Sequence, residues 1–208
     1  GLLLLVLTVE ASKAETQASA ESPSLVVLVS VDQWRYEYFE RFAENLDEQG
    51  IALRSQRTGV WYDNCLHQHA FTFTGPGHSV LMTGAYPDRS GIIDNNWYDR
   101  QSQKSVYCVD DASATIIGTT ANEKPVSPKR LLVDTLGDQL KLASGGRSKV
   151  FGVAIKDRAA ILMAGRMADA AYWMSGDGKW ITCDHYTDRL PGYLRNLNEQ
   201  RTVFRYAG

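Results

Sequence analysis

A threonine hydroxyl placed where a helix is about to begin is the first chemically suggestive feature of this chain. In Phe71-Thr72-Phe73-Thr74-Gly75-Pro76-Gly77-His78, Thr74 stands directly before Gly-Pro-Gly. The pattern predicts a strand that stops there and a helix over 75–82, so the Thr74 oxygen would face the unpaired amide donors of a helix N-terminus. That is a suitable address for a nucleophile that must meet an anion. A threonine hydroxyl is a poor nucleophile at neutral pH unless a base or a metal removes its proton, and no Ser-His-Asp order is evident nearby. Asp32, at the end of the apolar run Leu25–Val31, offers a hard oxygen for such a metal. Taken alone it would more readily serve as a helix N-cap for Gln33 onward, a common role for Asp. A third point is Lys156-Asp157-Arg158, after the apolar run at 149–155. If these residues stay extended, positions i and i+2 point the same way, so Lys156 and Arg158 would face one target. Two cations on one side suit a dianionic phosphoryl group, Arg as a fork and Lys as a point charge.

The elements that must position these groups can be read from apolar spacing. Leu25–Val31 is an unbroken apolar run of strand length, as in a sheet buried on both faces, and residues 36–49 carry Phe39, Phe42, Ala43 and Leu46 at helical spacing up to a stop at Gly50. Ser127-Pro128 opens a helix predicted over 129–143, ended by Gly145-Gly146, and residues 149–155 read as another buried strand. This alternation predicts an α/β fold with helices on both faces of the sheet. In such sheets the ligand crevice lies beyond the carboxyl ends of the strands, which is where Asp32, Thr74 and Lys156 to Arg158 fall. Residues 101–125 are polar and aperiodic, and are expected to form an insertion or a loop pair over one edge.

Composition narrows the function classes. The 208 residues are 44% hydrophobic, with 22 basic against 24 acidic side chains and a net charge of −2. That is enough chain for one globular domain, and it lacks the basic excess of a protein whose affinity comes from nucleic-acid phosphates. No nucleic-acid partner is expected. Residues 1–20, with a short apolar run and then small and polar residues, read as a secretory signal peptide whose start is truncated, leaving no membrane segment after its removal. Cys65, Cys108 and Cys183 are an odd set; a Cys65 to Cys108 disulfide is compatible with export and is left open.

Together, Ser22-Pro23-Ser24 leading into Leu25–Val31 and Asp32, the Thr74-Gly75-Pro76-Gly77-His78 block and Thr83-Gly84 resemble the alkaline phosphatase superfamily. Asp94-Asn95-Asn96-Trp97-Tyr98-Asp99 adds a further block. The similarity is closest to the periplasmic phosphate-irrepressible phosphomonoesterases of the type I phosphodiesterase/nucleotide pyrophosphatase group. It continues through Lys156-Asp157-Arg158-Ala159-Ala160-Ile161-Leu162, Ala171-Tyr172-Trp173, Trp180-Ile181-Thr182 and Leu190-Pro191-Gly192-Tyr193.

The resemblance implies an alkaline-phosphatase-like catalytic domain over 21–208, present as an incomplete N-terminal portion. It further implies Thr74 rather than Thr72 as nucleophile, Asn95 as an amide donor to a phosphoryl oxygen, and Lys156 and Arg158 as further substrate contacts. Asp32 and Thr74 would ligate a metal, with two Zn2+ per complete site and the remaining ligands expected beyond Gly208. Asn95 could otherwise simply accommodate a left-handed turn.

The implied activity is hydrolysis of small phosphate monoesters through a phosphothreonine, in the periplasm or outside the cell, with the fragment alone inactive. A phosphodiesterase or nucleotide pyrophosphatase on the same scaffold, and an inactive phosphate-binding fragment, are the alternatives. His67 and His69 have an H-x-H spacing that would suit a metal on a strand, but no further motif follows them, and a packing or loop role is expected. His78, one helical turn beyond Thr74, is expected to be structural rather than a ligand.

Overall fold

A computed structural model describes residues 3–9 and 23–201. The chain forms two compact units, Gly1–Gln68 and His69–Gly208. Of the segment read as a signal peptide, residues 1–2 and 10–20 lie outside the described residues.

In the first unit, β1 (Leu3–Val9) pairs antiparallel with β2 (Leu25–Val31), from Leu3 opposite Val31 to Val9 opposite Leu25. β2 is the expected strand, but it is not buried on both faces. Leu25 and Val26 are 53% and 45% exposed, because the ladder has only two strands and leaves its faces open. The helix predicted over 36–49 is also broken. It becomes one turn, α1 (Tyr38–Arg41), and a 3-10 turn (Ala43–Asn45). Gly50, expected as a stop, instead caps the start of α2 (Ile51–Thr58). Aromatic packing accounts for the break. Trp34, Tyr38, Phe39, Phe42 and Trp61 form a chain of ring contacts, the closest being Phe39 to Trp61 at 4.8 Å, edge to face.

The second unit opens with α3 (Thr74–Thr83), which ends at Gly84 in the left-handed region, φ 64°. After α4 (Pro87–Ser90), β3 (Asn96–Asp99) and β4 (Lys104–Tyr107) make an antiparallel hairpin. Next come β5 (Ile116–Ile117), α5 (Leu136–Ala143), β6 (Phe151–Val153), α6 (Asp157–Ala164), β7 (Ala170–Met174), β8 (Trp180–Cys183) and α7 (Gly192–Glu199). Within 101–125 the chain thus carries two strands, and Cys108 and Val109 are fully buried.

Four strands form one sheet in the order β5-β8-β7-β6. Its only parallel pair is β6 with β7, joined by the α6 crossover; β7 and β8, joined by the short turn at 175–179, run antiparallel. α6 lies against β6, β7 and α3. Gly152 makes the close approach feasible, since a Cβ there would stand 2.5 Å from the Ala160 carbonyl oxygen. Ile92, Val109, Leu131, Ile161, Leu162 and Ile181 are central to the core.

The helix predicted over 129–143 begins later than expected. Ser127 does cap a turn, accepting from the Lys129 N–H, but that turn is 3-10 and ends at Arg130. α5 starts at a separate capping box in which Thr135 accepts from the Asp138 N–H and Asp138 accepts from the Thr135 N–H. The Asp138 carboxylate, fully buried, also accepts from the N–H groups of Arg166 and Met167 and so ties α5 to the segment leaving α6.

Candidate active site

Thr74 is the first residue of α3, with extended Phe73 as the preceding cap, and is buried at 8% exposure. Thr72, two residues earlier, is exposed on the approach to the helix. Pro76 falls in the first turn, where its missing N–H costs nothing. The next amide, Gly75 N–H, donates to Asn95 Oδ1 at 2.7 Å. Glycine suits this tight spot: a Cβ would stand 3.1 Å from both Asn95 Oδ1 and Cys108 Sγ and would press on both side chains.

Asn95 is held from several sides. It sits immediately before β3, its N–H donates to Asp94 Oδ1 at 2.6 Å, and its carbonyl accepts from the Cys108 N–H at 2.9 Å. With Oδ1 committed to Gly75, the carboxamide orientation is fixed and the Nδ2 hydrogens are aimed elsewhere. His78 Nδ1 donates to the Thr74 carbonyl at 2.7 Å, so this buried histidine braces the first turn of α3 from within.

The Lys156 to Arg158 segment differs from its sequence reading. It is not an extended strand end. Lys156 is the extended cap of α6, whereas Asp157 and Arg158 already form the helix's first turn. The i, i+2 alternation therefore does not apply, because an acidic residue followed by Ala-Ala-Ile-Leu starts a helix one residue after Lys156. Lys156 is exposed, and Arg158 is partly buried.

Arg158 Nη1 donates to the Tyr107 hydroxyl at 3.0 Å, and that hydroxyl donates to Asp157 Oδ1 at 2.5 Å. Asp157 Oδ1 also accepts from the Arg158 N–H at 2.6 Å. Burial, and then the Asp157 charge, push the Tyr107 phenol well above its ordinary range. Burial likewise raises the neighbouring Cys108 thiol to about 12. The Arg158 guanidinium loses some of its preference for charge to burial, but the Tyr107 hydrogen bond and nearby negative groups more than restore it.

Hydrogen bonds thus link Gly75, the residue after Thr74, to Asn95 and Asn95 to Cys108, and the adjoining Tyr107 continues the network to Arg158. Asp32 lies in the first unit, directly after β2. Tyr107 and Asp157, which join this network, are given no site role by the sequence reading. Asp157 carries a helix-start signal; Tyr107 lies in the aperiodic stretch and meets a partner 50 residues away.

His67 is in a loop of the first unit and not on a strand, and burial lowers the pKa of His69. His185 Nε2 lies 2.9 Å from the Arg166 carbonyl oxygen. Cys65, Cys108 and Cys183 are free thiols, the first exposed and the others buried. No group of three or more His, Cys, Asp or Glu side chains gathers as a metal site among the described residues. No helix among them is long and apolar enough to cross a membrane.

Comparison with known proteins agrees with this architecture. The family model for type I phosphodiesterase / nucleotide pyrophosphatase matches residues 26–205. Alkaline phosphatase PhoV of Synechococcus elongatus is 42% identical over 185 residues, covering 88% of this chain and 34% of the relative. A crystal structure of wild-type alkaline phosphatase PafA superposes with a TM-score of 0.80 at 38% identity, over 84% of this chain and 34% of that one. A PafA variant superposes with a TM-score of 0.81 at 36% identity; it carries substitutions at a threonine, an asparagine, a lysine and an arginine. The threonine-to-asparagine separation there equals that of Thr74 and Asn95, and its lysine and arginine are two positions apart, as are Lys156 and Arg158. The chain spans about a third of the length of these relatives. With the α/β fold shared and the family match running through nearly all of the second unit, the chain belongs to the type I phosphodiesterase / nucleotide pyrophosphatase family of the alkaline phosphatase superfamily.

Proposed function

We propose that the protein is an exported hydrolase of small phosphate monoesters, acting in the periplasm or outside the cell through a phosphothreonine at Thr74. The observation that carries this reading is the network linking the start of α3 at Thr74 to Asn95 and Arg158. In the first step the Thr74 oxygen attacks phosphorus, a P–O bond to Thr74 forms, and the bond to the leaving oxygen breaks. That oxygen takes up a proton as the alcohol departs. Hydroxide then attacks the phosphothreonine, releasing inorganic phosphate and restoring Thr74. Asn95 Nδ2, Lys156 and Arg158 hold the non-transferred oxygens through both steps.

Asp32 and Thr74 are the residues of this chain that would hold Zn2+. Their hard oxygens suit a divalent cation in type, but two donors fall short of the four of a closed site. When bound, Zn2+ supplies positive charge that favours the ionised Thr74 oxygen and offsets charge on the phosphoryl group. The remaining ligands are proposed to come from the part of the relatives' length that this chain does not span.

The family's description favours one second reading, a diesterase or nucleotide pyrophosphatase. The paired cations Lys156 and Arg158 favour the monoester, since a diester has one charge fewer to reward them. Comparing kcat/KM for p-nitrophenyl phosphate and bis(p-nitrophenyl) phosphate with the full-length protein tests this. A clear preference for the monoester supports the proposal; a preference for the diester moves the assignment to the second reading.

A further inference from the structure

We propose that Tyr107 is a positioning residue for phosphoryl recognition, its phenol interposed between Asp157 and Arg158 so that the guanidinium is oriented while its donors are kept from the carboxylate. The inference rests on the reading of Arg158 as a substrate contact.

Asp157 and Arg158 are consecutive residues in the first turn of α6, and although neighbouring helical side chains diverge, a direct fork-to-carboxylate pair between their opposite charges is the competing arrangement. Such a pair would occupy the donors that a phosphate needs. The structure shows instead a loose ion pair, Arg158 Nη1 lying 3.9 Å from Asp157 Oδ1 with no direct hydrogen bond between them. The Tyr107 hydroxyl stands between them, accepting from Nη1 at 3.0 Å and donating to Oδ1 at 2.5 Å. The ring supports the guanidinium as well, with Arg158 Cζ 5.9 Å from the Tyr107 centroid. One of the five guanidinium N–H groups is thereby committed to the phenol, and Arg158 Nε has no protein partner among the described residues.

Tyr107 can hold this place because it ends β4, next to Cys108, whose N–H is bonded to the Asn95 carbonyl. The same hairpin that orients the amide of Asn95 therefore orients the guanidinium of Arg158. Because burial and the Asp157 charge keep the phenol protonated, this arrangement persists into alkaline solution.

The test is Tyr107→Phe in the full-length protein, alone and combined with Arg158→Ala. This substitution keeps the ring and removes only the hydroxyl. Monoester kcat/KM is expected to fall about tenfold, diester kcat/KM much less, and the inhibition constant for inorganic phosphate to rise about tenfold. In the Arg158→Ala background, Tyr107→Phe should have no further effect on any of the three.

If Arg158→Ala impairs monoester turnover while Tyr107→Phe leaves the monoester-to-diester ratio unchanged, the positioning role is wrong and the function proposed above stands. The same holds if the two losses simply multiply, because a hydroxyl acting only through the fold would give independent losses. If Arg158→Ala itself leaves the ratio and phosphate inhibition unchanged, both the role of Arg158 and that of Tyr107 fall.

Discussion

Gly75 and Asn95 are joined by a 2.7 Å hydrogen bond from the backbone N–H that follows the candidate nucleophile to the side-chain oxygen of the candidate amide donor. The bond does two things at once. It satisfies an otherwise orphaned donor at the start of α3, and it sets which end of the carboxamide is left to meet a substrate.

Asn95→Asp separates these roles. An aspartate retains an oxygen for Gly75 but has no Nδ2 donor and adds a negative charge where phosphate would sit. Monoester kcat/KM is expected to fall by about 10² to 10³, with little change in melting temperature. Steady-state kinetics showing less than a threefold loss would remove Asn95 from the site.

Replacing both Lys156 and Arg158 by Ala should lower monoester kcat/KM far more than diester kcat/KM. Each lost charge-assisted contact is expected to cost about 2 to 4 kcal/mol. Equal losses on the two substrate classes contradict recognition of the extra charge.

Away from the site, Asp169 joins two lysines, accepting from Lys149 Nζ at 2.9 Å and Lys141 Nζ at 2.8 Å, and it also takes the Val150 N–H. Burial alone would raise its pKa, but these three bonds together lower it from 3.8 to about 2. A carboxyl depressed in the folded state stabilises the fold fully above its unfolded value and loses that contribution as pH falls through its folded value. Because Lys149 is largely exposed, screening limits the effect to about 1 kcal/mol near neutrality. In urea unfolding, the difference between wild type and Asp169→Asn should be constant above about pH 5 and shrink steadily toward about pH 2. An undiminished difference at that pH would rule out the ionised network as its source.

Thiol chemistry offers a check on the core. Cys108 and Cys183 are fully buried, and burial raises their pKa values to about 12 and about 11, whereas Cys65 is exposed. A thiol reagent such as DTNB should therefore label Cys65 alone in the native protein, and all three cysteines after denaturation. Rapid native labelling of Cys108 would mean that the packing between Gly75 and the β3/β4 hairpin is not as described.

Some of this arrangement was legible in the sequence because it depends on local chemistry. Pro76 in a first turn followed by an apolar stretch to Met82 is compatible with a helix start after Thr74, and α3 begins there with a buried first turn. Gly145 and Gly146, at φ 61° and 80°, mark the end of α5 as expected. Where long-range packing decides, the sequence was misleading. The apolar period at 36–49 is real, yet the rings of Trp34 and Trp61 draw its aromatic residues into a cluster that one continuous helix does not form. Ser127 and Pro128 cap only a 3-10 turn, and the start of α5 is marked in the sequence by the Thr135 to Asp138 capping box. Lys156 and Arg158 stand out by charge and spacing, but the extended i, i+2 presentation expected of them gives way to a helix that starts at Asp157. Tyr107 had no local signature at all, since its meaning comes from two residues that the fold brings to it.

The central claim is that Thr74 carries the phosphoryl group. The most direct measurement is to quench the full-length protein during turnover of a phosphate monoester and map the covalent phosphate by mass spectrometry. Phosphate should be found on Thr74, and Thr74→Ala should abolish it and cut turnover by several orders of magnitude, while Thr72→Ala retains both. Phosphate trapped on Thr72, or turnover that survives Thr74→Ala, would contradict the account.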